Sequence, residues 1–362
     1  MTYRQHTTLA DGRDLYYFDL QSGSDRSAPD TRELPDTATS SQIRWDPLFS
    51  EWAVIAGHRQ SRTYKPPASL CPLCPSGDGK PTEVPAGSYE VAVFENRFPS
   101  LSQDARTSVT GVTEFPFRSG PGTGRCEVVC FTSDHNTSFA QLTPEHARTV
   151  IDALADRTAE LSRLPDVQYV FCFENRGEEI GVTLSHPHGQ IYGYPFVPPR
   201  LLRAARTAAD YQREHGDCLR CELMRREIEV GERIIARTEH WTALVPFAAR
   251  WPYEARLIAN RHVGDLPSLT EDERDDLARG YLDLLQRFDR LFDTPTPYIA
   301  SWHQAPVSEF TDSWHLGAEV FTIRRAPGKL KYLAGSESGA AVWINDISPE
   351  IAAARLRGEL PG

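Results

Sequence analysis

The chain has 362 residues, of which 40% are hydrophobic and 25% charged, and its formal net charge is -11. This length allows two domains or one large two-part domain. The acidic balance, with no run of Lys or Arg, argues against broad electrostatic binding of nucleic acid. No apolar run has the length of a membrane helix, and the N-terminus lacks a signal-peptide core. We therefore expect a cytoplasmic protein without a membrane partner, with its seven cysteines reduced.

A loose polar segment, residues 20–42, precedes short β-type runs separated by turns. Two helices are predicted among these runs. The first follows Thr143 as N-cap, with Pro144 at its first position. The second follows Thr270, with Glu273 completing a capping box. Its apolar residues fall on one helical face: Leu277, Tyr281, Leu284, Leu285, Phe288 and Leu291. The chain has neither a dinucleotide fingerprint nor a P-loop.

The two halves repeat one order of residues: a C-x-x-C pair, a histidine, a helix-capping Leu-Thr, a strand tyrosine and a second histidine. In both halves, 8 residues separate the first histidine from the threonine, and 17 separate the tyrosine from the second histidine. The repeat predicts a duplicated chain, with one half at 1–200 and the other at 201–362. The repeated positions are Cys71, Cys74, His135, Thr143, Tyr169 and His186, then Cys218, Cys221, His262, Thr270, Tyr298 and His315.

Each half offers two cysteines and two histidines, which suit a tetrahedral zinc ion without an open position. The first predicted site has Cys71, Cys74, His135 and His186. The second has Cys218, Cys221, His262 and His315. The alternative is that a C-x-x-C is a redox pair or a chance pair, but a redox pair usually opens a helix, and the prolines and glycine around CPLC favour a metal knuckle. We expect two structural zinc ions per chain.

The segment His186-Pro-His188-Gly-Gln190 combines a metal-ligand position with groups suited to chemistry at phosphorus. In a strand, residues 186, 188 and 190 share one face. A neutral imidazole at His188 can attack a phosphoryl group, and the Gln190 amide can stabilise the charge on the non-bridging oxygens of that group. Gly189 would let a ligand approach the backbone. The second half has Gly317 in place of His188, so only the first half is expected to be catalytic.

The segment FENRGEEIGVTLSHPHGQIYGYPFVPP resembles the active-site signature of the galactose-1-phosphate uridylyltransferase family, within the histidine-triad superfamily. The segments CPLCPS, VFENRFPSL, FTSDHNTSF and GKLKYLAGSE resemble further family segments in the family's order. The resemblance implies an α+β fold of two histidine-triad-like half-domains, whose antiparallel strands join into one large sheet with flanking helices. It also implies a homodimer with a shared active site.

The resemblance further implies ping-pong transfer of a uridylyl group from UDP-glucose to galactose-1-phosphate through His188. Arg59 and Arg62 would contact phosphates. The remaining positions implied by the resemblance fall into three groups. Leu73, Asn96 and Phe98 would line the uridine pocket; Asn175, Gly181, Thr183 and Gln190 would surround the phosphates and the nucleophile; Lys331, Tyr332 and Glu337 would face the hexose.

Certain relatives bind iron in the second half through a glutamate and three histidines. This chain has one histidine in SWHLGAEVF and no carboxylate at the matching place in FVPPRLLRAA, so we expect no iron there. Two other functions stay open from the sequence. One is a nucleotide-sugar phosphorylase or specialised nucleotidyltransferase that keeps His188 and uses a different acceptor. The other is a nucleotide-binding zinc protein without turnover.

Overall fold

The computed structural model of the chain describes residues 2–34, 39–61, 66–77, 79–105 and 111–360. Its strands are β1 (Tyr3–Thr8), β2 (Asp14–Asp19), β3 (Gln42–Asp46), β4 (Glu51–Ile55), β5 (Val91–Glu95), β6 (Ser119–Pro121), β7 (Arg125–Cys130), β8 (Tyr169–Arg176), β9 (His188–Tyr194), β10 (Ile234–Arg237), β11 (Trp241–Leu244), β12 (Tyr253–Ala259), β13 (Tyr298–His303), β14 (Gly317–Thr322), β15 (Arg324–Ala326) and β16 (Lys329–Leu330). Its helices are α1 (Pro144–Leu161), α2 (Pro199–His215), α3 (Leu219–Val230), α4 (Glu271–Asp289), α5 (Gly335–Ala340) and α6 (Pro349–Arg357).

One antiparallel sheet of eleven strands runs through both halves of the chain. Its spatial order is β1-β2-β5-β7-β9-β8-β13-β14-β12-β11-β10. The halves meet where β8 pairs with β13, with Arg176 opposite Tyr298 and Cys172 opposite Trp302. The predicted α+β class, with antiparallel strands of two half-domains joined into one large sheet, is confirmed.

Helices α1 and α4 pack side by side against one face of this sheet. Both predicted starts are confirmed. Thr143 accepts a hydrogen bond from the backbone N–H of His146, and Thr270 forms a reciprocal capping box with Glu273. The apolar face predicted for α4 is buried in the core.

The elements predicted from the sequence were incomplete in two places. Helices α2 and α3 follow the signature segment, and Cys218 is the N-cap of α3, so the second C-x-x-C opens a helix whereas the first does not. Between residues 20 and 34 the chain has no strand or helix, yet ion pairs from Arg26 to Asp19 and from Arg32 to Glu83 hold this segment against the rest of the fold.

Among the described residues, none of the helices has the length and apolar character that a membrane span requires.

Candidate active site and metal centres

Strand β9 starts at His188 and alternates between the two faces of the sheet. The side chains of His188, Gln190 and Tyr192 are half-buried on one face, and the residues between them are fully buried on the other. A Cβ on Gly189 would lie 2.8 Å from the Phe131 ring and 3.0 Å from a backbone carbonyl. Close packing of the core beneath the strand therefore requires this glycine, which is a different reason from the ligand approach that the sequence suggested.

The His188 ring is fixed in one tautomer. Its Nδ1 lies 2.7 Å from the backbone carbonyl of His186, and a carbonyl can only accept, so Nδ1 carries the proton. Burial lowers the pKa of His188, although the hydrogen bond to this carbonyl acts in the opposite direction. The ring is therefore neutral with an unprotonated Nε2, which is the form that can attack an electrophile.

Gln190 is oriented by its neighbour two residues along the strand. The Tyr192 hydroxyl donates to the amide oxygen of Gln190 at 3.1 Å. The amide nitrogen is then the end of Gln190 that can donate to a bound oxyanion. Arg59 reaches the same region, with its guanidinium donating to the Ser100 hydroxyl and lying 3.4 Å from the Tyr192 hydroxyl.

Two cavities meet at His188. The smaller, of about 200 Å³, combines apolar walls with the cations Arg59 and Arg97 and the carboxylate Glu83. The larger, of about 410 Å³, lies at the ends of β8 and of the loop before β9, with Pro295 of the second half on its far wall. The predicted residues that border the smaller cavity are Arg59, Leu73, Asn96, Phe98, Thr183, His188 and Gln190. Thr183, Asn175 and His188 border the larger one.

Four other predicted positions do not border either cavity, and a further one, Arg62, lies outside the described residues. Gly181 has a φ of 85°, a left-handed conformation that favours glycine, in the turn after the 3-10 helix Glu178–Ile180. Lys331 and Glu337 form a buried ion pair of 2.7 Å with each other, and Tyr332 is exposed. Within the part of the chain that is described, these last three residues do not reach the cavities beside their own His188.

The first predicted metal ligands converge. The ligand atoms of Cys71, Cys74, His135 and His186 all lie within 4.8 Å of one another. The Cys74 sulfur is 3.3 Å from Nδ1 of His135 and 3.5 Å from Nδ1 of His186. A zinc ion bound at about 2.0–2.3 Å would hold tetrahedral ligands about 3.3–3.8 Å apart, so these separations fit a metal ion. Burial lowers the pKa of His186 to about 4, which keeps its ring neutral, as a metal ligand must be.

The second predicted set converges in the same way. The ligand atoms of Cys218, Cys221, His262 and His315 also lie within 4.8 Å of one another. Nδ1 of His315 is 3.3 Å from the Cys221 sulfur and 3.6 Å from the Cys218 sulfur. Each half can therefore hold a metal ion between a C-x-x-C pair and two histidines.

A backbone carbonyl fixes one histidine in each centre. Nε2 of His186 donates to the carbonyl of Thr132, and Nε2 of His315 donates to the carbonyl of Ala259, both at 2.8 Å. Each bond places the proton on Nε2 and leaves Nδ1 for the metal. The Tyr89 hydroxyl, 3.0 Å from Nε2 of His186, is a neighbour that the spacing of metal ligands did not reveal.

Arg220 occupies the place in the second half that corresponds to His188. A Cβ on Gly317 would lie 2.9 Å from the Arg220 Nη1. That Nη1 donates to the carbonyl of His315 at 2.7 Å, the same bond that His188 makes to the carbonyl of His186. Arg220 holds the motif position of Leu73, as CLRC and CPLC show. Aligning the two motifs was the sequence signal that could have identified Arg220.

Both halves of the chain are similar to known protein domains. Residues 30–198 match the family described as galactose-1-phosphate uridyl transferase, N-terminal domain, and residues 204–361 match its C-terminal domain. The chain belongs to the galactose-1-phosphate uridylyltransferase family. It is therefore an enzyme of the nucleotidyltransferase class.

Relatives of the uridylyltransferase family match the chain over nearly its full length. A galactose-1-phosphate uridylyltransferase of Streptomyces lividans is 46% identical, with 97% of this chain and 96% of the relative covered. One of Thermotoga maritima is 38% identical, with 87% and 98% covered. A solved structure named as a uridylyltransferase superposes with a TM-score of 0.78 at 31% identity, covering 88% of this chain and 97% of that one.

Proposed function

We propose that the chain transfers the uridylyl group of UDP-glucose to galactose-1-phosphate through a covalent uridylyl-His188. The observation that carries the proposal is the His188 ring: its Nδ1 is held by a carbonyl, its Nε2 is unprotonated, and it borders both cavities. Membership of the uridylyltransferase family supplies the substrates, UDP-glucose and galactose-1-phosphate.

In the first half-reaction, Nε2 of His188 attacks the α-phosphorus. The bond from this phosphorus to the oxygen bridging the β-phosphorus breaks, and glucose-1-phosphate leaves with the electron pair. The imidazole gains positive charge as the N–P bond forms, and the His186 carbonyl that accepts from Nδ1 stabilises that charge. The Gln190 amide donates to a non-bridging oxygen. In the second half-reaction a phosphate oxygen of galactose-1-phosphate attacks, the N–P bond breaks, and His188 returns to its neutral form.

We further propose that both metal centres hold zinc and that both are structural. Each offers four ligands and thus leaves no open position for a substrate. Zinc in the first centre would fix His186, whose carbonyl orients the nucleophile. Elemental analysis should find about two zinc ions per chain; iron in the second centre would contradict the ligand assignment.

We also propose a homodimer in which Lys331, Tyr332 and Glu337 reach the hexose bound at the partner's His188. Their separation from the cavities of their own chain supports this arrangement. Exposed apolar side chains around β3, β4 and β6 offer a surface for the contact: Leu48, Phe49, Phe115 and Phe117. Mixing two inactive variants, His188→Gly and Lys331→Ala, should restore activity in mixed dimers. No restoration, with both variants folded, would contradict a shared site.

Initial-rate kinetics test the reaction. UDP-glucose is varied at several fixed concentrations of galactose-1-phosphate, and parallel double-reciprocal lines are expected. Labelled glucose-1-phosphate should also exchange into UDP-glucose when galactose-1-phosphate is absent. Intersecting lines without this exchange would contradict the covalent mechanism. Transfer to a different acceptor only would contradict the assigned substrate.

A further inference from the structure

The first C-x-x-C pair lies in a loop whose backbone carbonyls need donors from elsewhere in the chain. In the second half the pair opens a helix: Cys218 is the N-cap of α3, and its carbonyl accepts from the backbone N–H of Glu222 at 3.0 Å. Residues 71–74 form neither a helix nor a strand, although Cys71 and Leu73 are buried. Because buried carbonyls are nearly always paired, this loop depends on donors outside it.

The segment formed by residues 82–89 supplies these donors. Three consecutive carbonyls of the loop each accept one hydrogen bond from it: Pro72 from the backbone N–H of Glu83 at 3.0 Å, Leu73 from the hydroxyl of Tyr89 at 2.8 Å, and Cys74 from the hydroxyl of Thr82 at 2.5 Å. A parallel bridge between Pro75 and Val84 extends the contact. The 82–89 segment therefore holds the first loop as the helical turn holds the second.

The hydroxyl of Tyr89 is also bonded to a histidine of the first metal centre. Its oxygen lies 3.0 Å from Nε2 of His186. The hydroxyl proton goes to the Leu73 carbonyl, so the oxygen accepts the Nε2 proton, which it shares with the carbonyl of Thr132. This tautomer leaves Nδ1, 3.5 Å from the Cys74 sulfur, for the metal. Tyr89 is only 3% exposed, so the protein itself makes both bonds.

Both residues bonded to the Tyr89 hydroxyl also lie beside the nucleophile. Leu73 is buried and borders the smaller cavity together with His188. The backbone carbonyl of His186 accepts from Nδ1 of His188 at 2.7 Å. In the described part of the second half, Nε2 of His315 is bonded to a backbone carbonyl alone. A hydroxyl with these two bonds is thus a feature of the first half.

We propose that the 82–89 segment holds the first metal centre in place and that Tyr89 is its principal positioning residue. The Tyr89 hydroxyl fixes the His186 ring as a metal ligand, and through the Leu73 carbonyl it holds one wall of the smaller cavity. The inference rests on the proposed function in one respect, which is that the first centre holds zinc. Partners that touch a ligand and not the metal commonly contribute a factor of about 10–100 to metal affinity.

Tyr89→Phe tests this role, because it removes the hydroxyl and keeps the buried ring. The full-length, zinc-loaded chain is titrated with a chromophoric chelator. Cysteines that lose their zinc are alkylated and located by peptide mapping, which assigns each loss to one centre. We expect the zinc affinity of the first centre to fall by about 10–100-fold and that of the second to stay at the wild-type value.

Tyr17→Phe is the matched control. Tyr17 lies in the same buried cluster as Tyr89, and its hydroxyl accepts from the backbone N–H of Ala86, within the 82–89 segment, at 3.4 Å. Among the described residues, this hydroxyl is bonded to neither Leu73 nor His186. We expect wild-type zinc affinity at both centres. An equal loss at the first centre in both variants would overturn the specific role of Tyr89.

Steady-state rates with zinc in excess test the bond to the loop. Zinc then keeps the His186 ring in place, whereas the Leu73 carbonyl still lacks its donor. The KM for UDP-glucose should therefore rise by about threefold to tenfold in Tyr89→Phe, with kcat within about twofold of the wild-type value. An unchanged KM would overturn the link between Tyr89 and the cavity wall.

If Tyr89→Phe does not fold, Thr82→Val decides, because it removes the neighbouring bond to the Cys74 carbonyl and should weaken the first centre alone. Wild-type affinity in the folded variant, or an equal loss at both centres, would overturn the proposal. The wild-type chain is analysed alongside. Absence of zinc from its first centre overturns the proposed zinc site and this inference together, whereas zinc bound equally tightly by wild type and variants overturns the inference alone.

Discussion

Each half of the molecule has a cluster of two cysteines and two histidines that can hold a metal ion, which we call its metal frame. The halves differ in the side chain that bonds to the backbone carbonyl of one of these histidines. In the first half, the carbonyl of a metal-ligand histidine orients the imidazole of His188; in the second, the equivalent carbonyl holds the guanidinium of Arg220. Leu73, the motif counterpart of Arg220, borders the smaller cavity beside His188. From this difference we expect the cysteine–histidine cluster to stabilise the fold in both halves, and catalysis to depend on the side chain that the histidine carbonyl holds.

The largest effect should come from removing the nucleophile. His188→Gly leaves the frame intact and is expected to lower transfer by about 10⁴-fold or more. A pre-formed uridylyl-imidazolide supplies the missing ring and should restore transfer to galactose-1-phosphate. Steady-state rates with both donors check this expectation. Near-normal turnover of UDP-glucose by the variant would remove His188 as the nucleophile.

Removing one cysteine from each metal frame in turn should separate its effect on stability from its effect on catalysis. Cys71→Ser and Cys218→Ser should each lower the metal content by about one ion per chain and destabilise the fold by at least a few kcal/mol. Only Cys71→Ser should also lower kcat in the surviving folded fraction, because its centre holds His186 beside the nucleophile. Elemental analysis, thermal unfolding and active-site-normalised rates provide the readouts. Equal loss of kcat in both variants would contradict the division between the halves.

A reciprocal exchange at the motif position tests the local difference. Leu73→Arg would place a cation in the wall of the smaller cavity, and we expect kcat/KM to fall by about 10²-fold. Arg220→Leu loses the bond to the His315 carbonyl and should cost about 1–3 kcal/mol of stability, with transfer nearly unchanged. Kinetics and denaturant unfolding on the two variants measure both effects. A large loss of activity in Arg220→Leu would show that the second half takes part in catalysis.

The smallest effect concerns the two helix caps. Thr270→Ala should cost about 1–2 kcal/mol and Thr143→Ala less, because only the former has a reciprocal glutamate. The bond from Arg261 lowers the pKa of Glu273 to about 2, below its usual value near 4.5. Its stabilising effect is thus present above pH 4.5 and is lost as the pH falls towards 2. Urea unfolding at pH 7 and pH 3 checks both points; equal costs for the two caps at pH 7 would contradict the role of the box.

The two cysteine–histidine clusters could be predicted from the sequence because fixed spacing encodes them, whereas the role of His188 as nucleophile stays a prediction. Cys71, Cys74, His135 and His186 are far apart in the chain, but the repeat of their order identified them. Helix α4 was equally readable from its cap and apolar face. Arg220 was missed because its position depends on a contact with Gly317, which is 97 positions away in the chain. Neither residue by itself indicates this contact.

The environment of Glu174 could not be predicted from the sequence either, because it too depends on tertiary contacts. Glu174 is a polar residue of a strand, and only tertiary packing shows that one of its oxygens is buried with no hydrogen-bond partner in the described part of the chain. Helices α2 and α3 were not predicted, although Pro199 and Gly216 mark the ends of α2. Residues that recur at a fixed spacing in both halves could be predicted from the sequence, whereas residues whose role depends on a tertiary contact could not.

The most direct test of the division between the halves is the mass of the intact chain after incubation with UDP-glucose alone. The account predicts one added uridylyl group per chain, located on His188 by peptide mapping and removed by galactose-1-phosphate. A chain without added mass while transfer proceeds, a label on any other residue, or two groups per chain would contradict it.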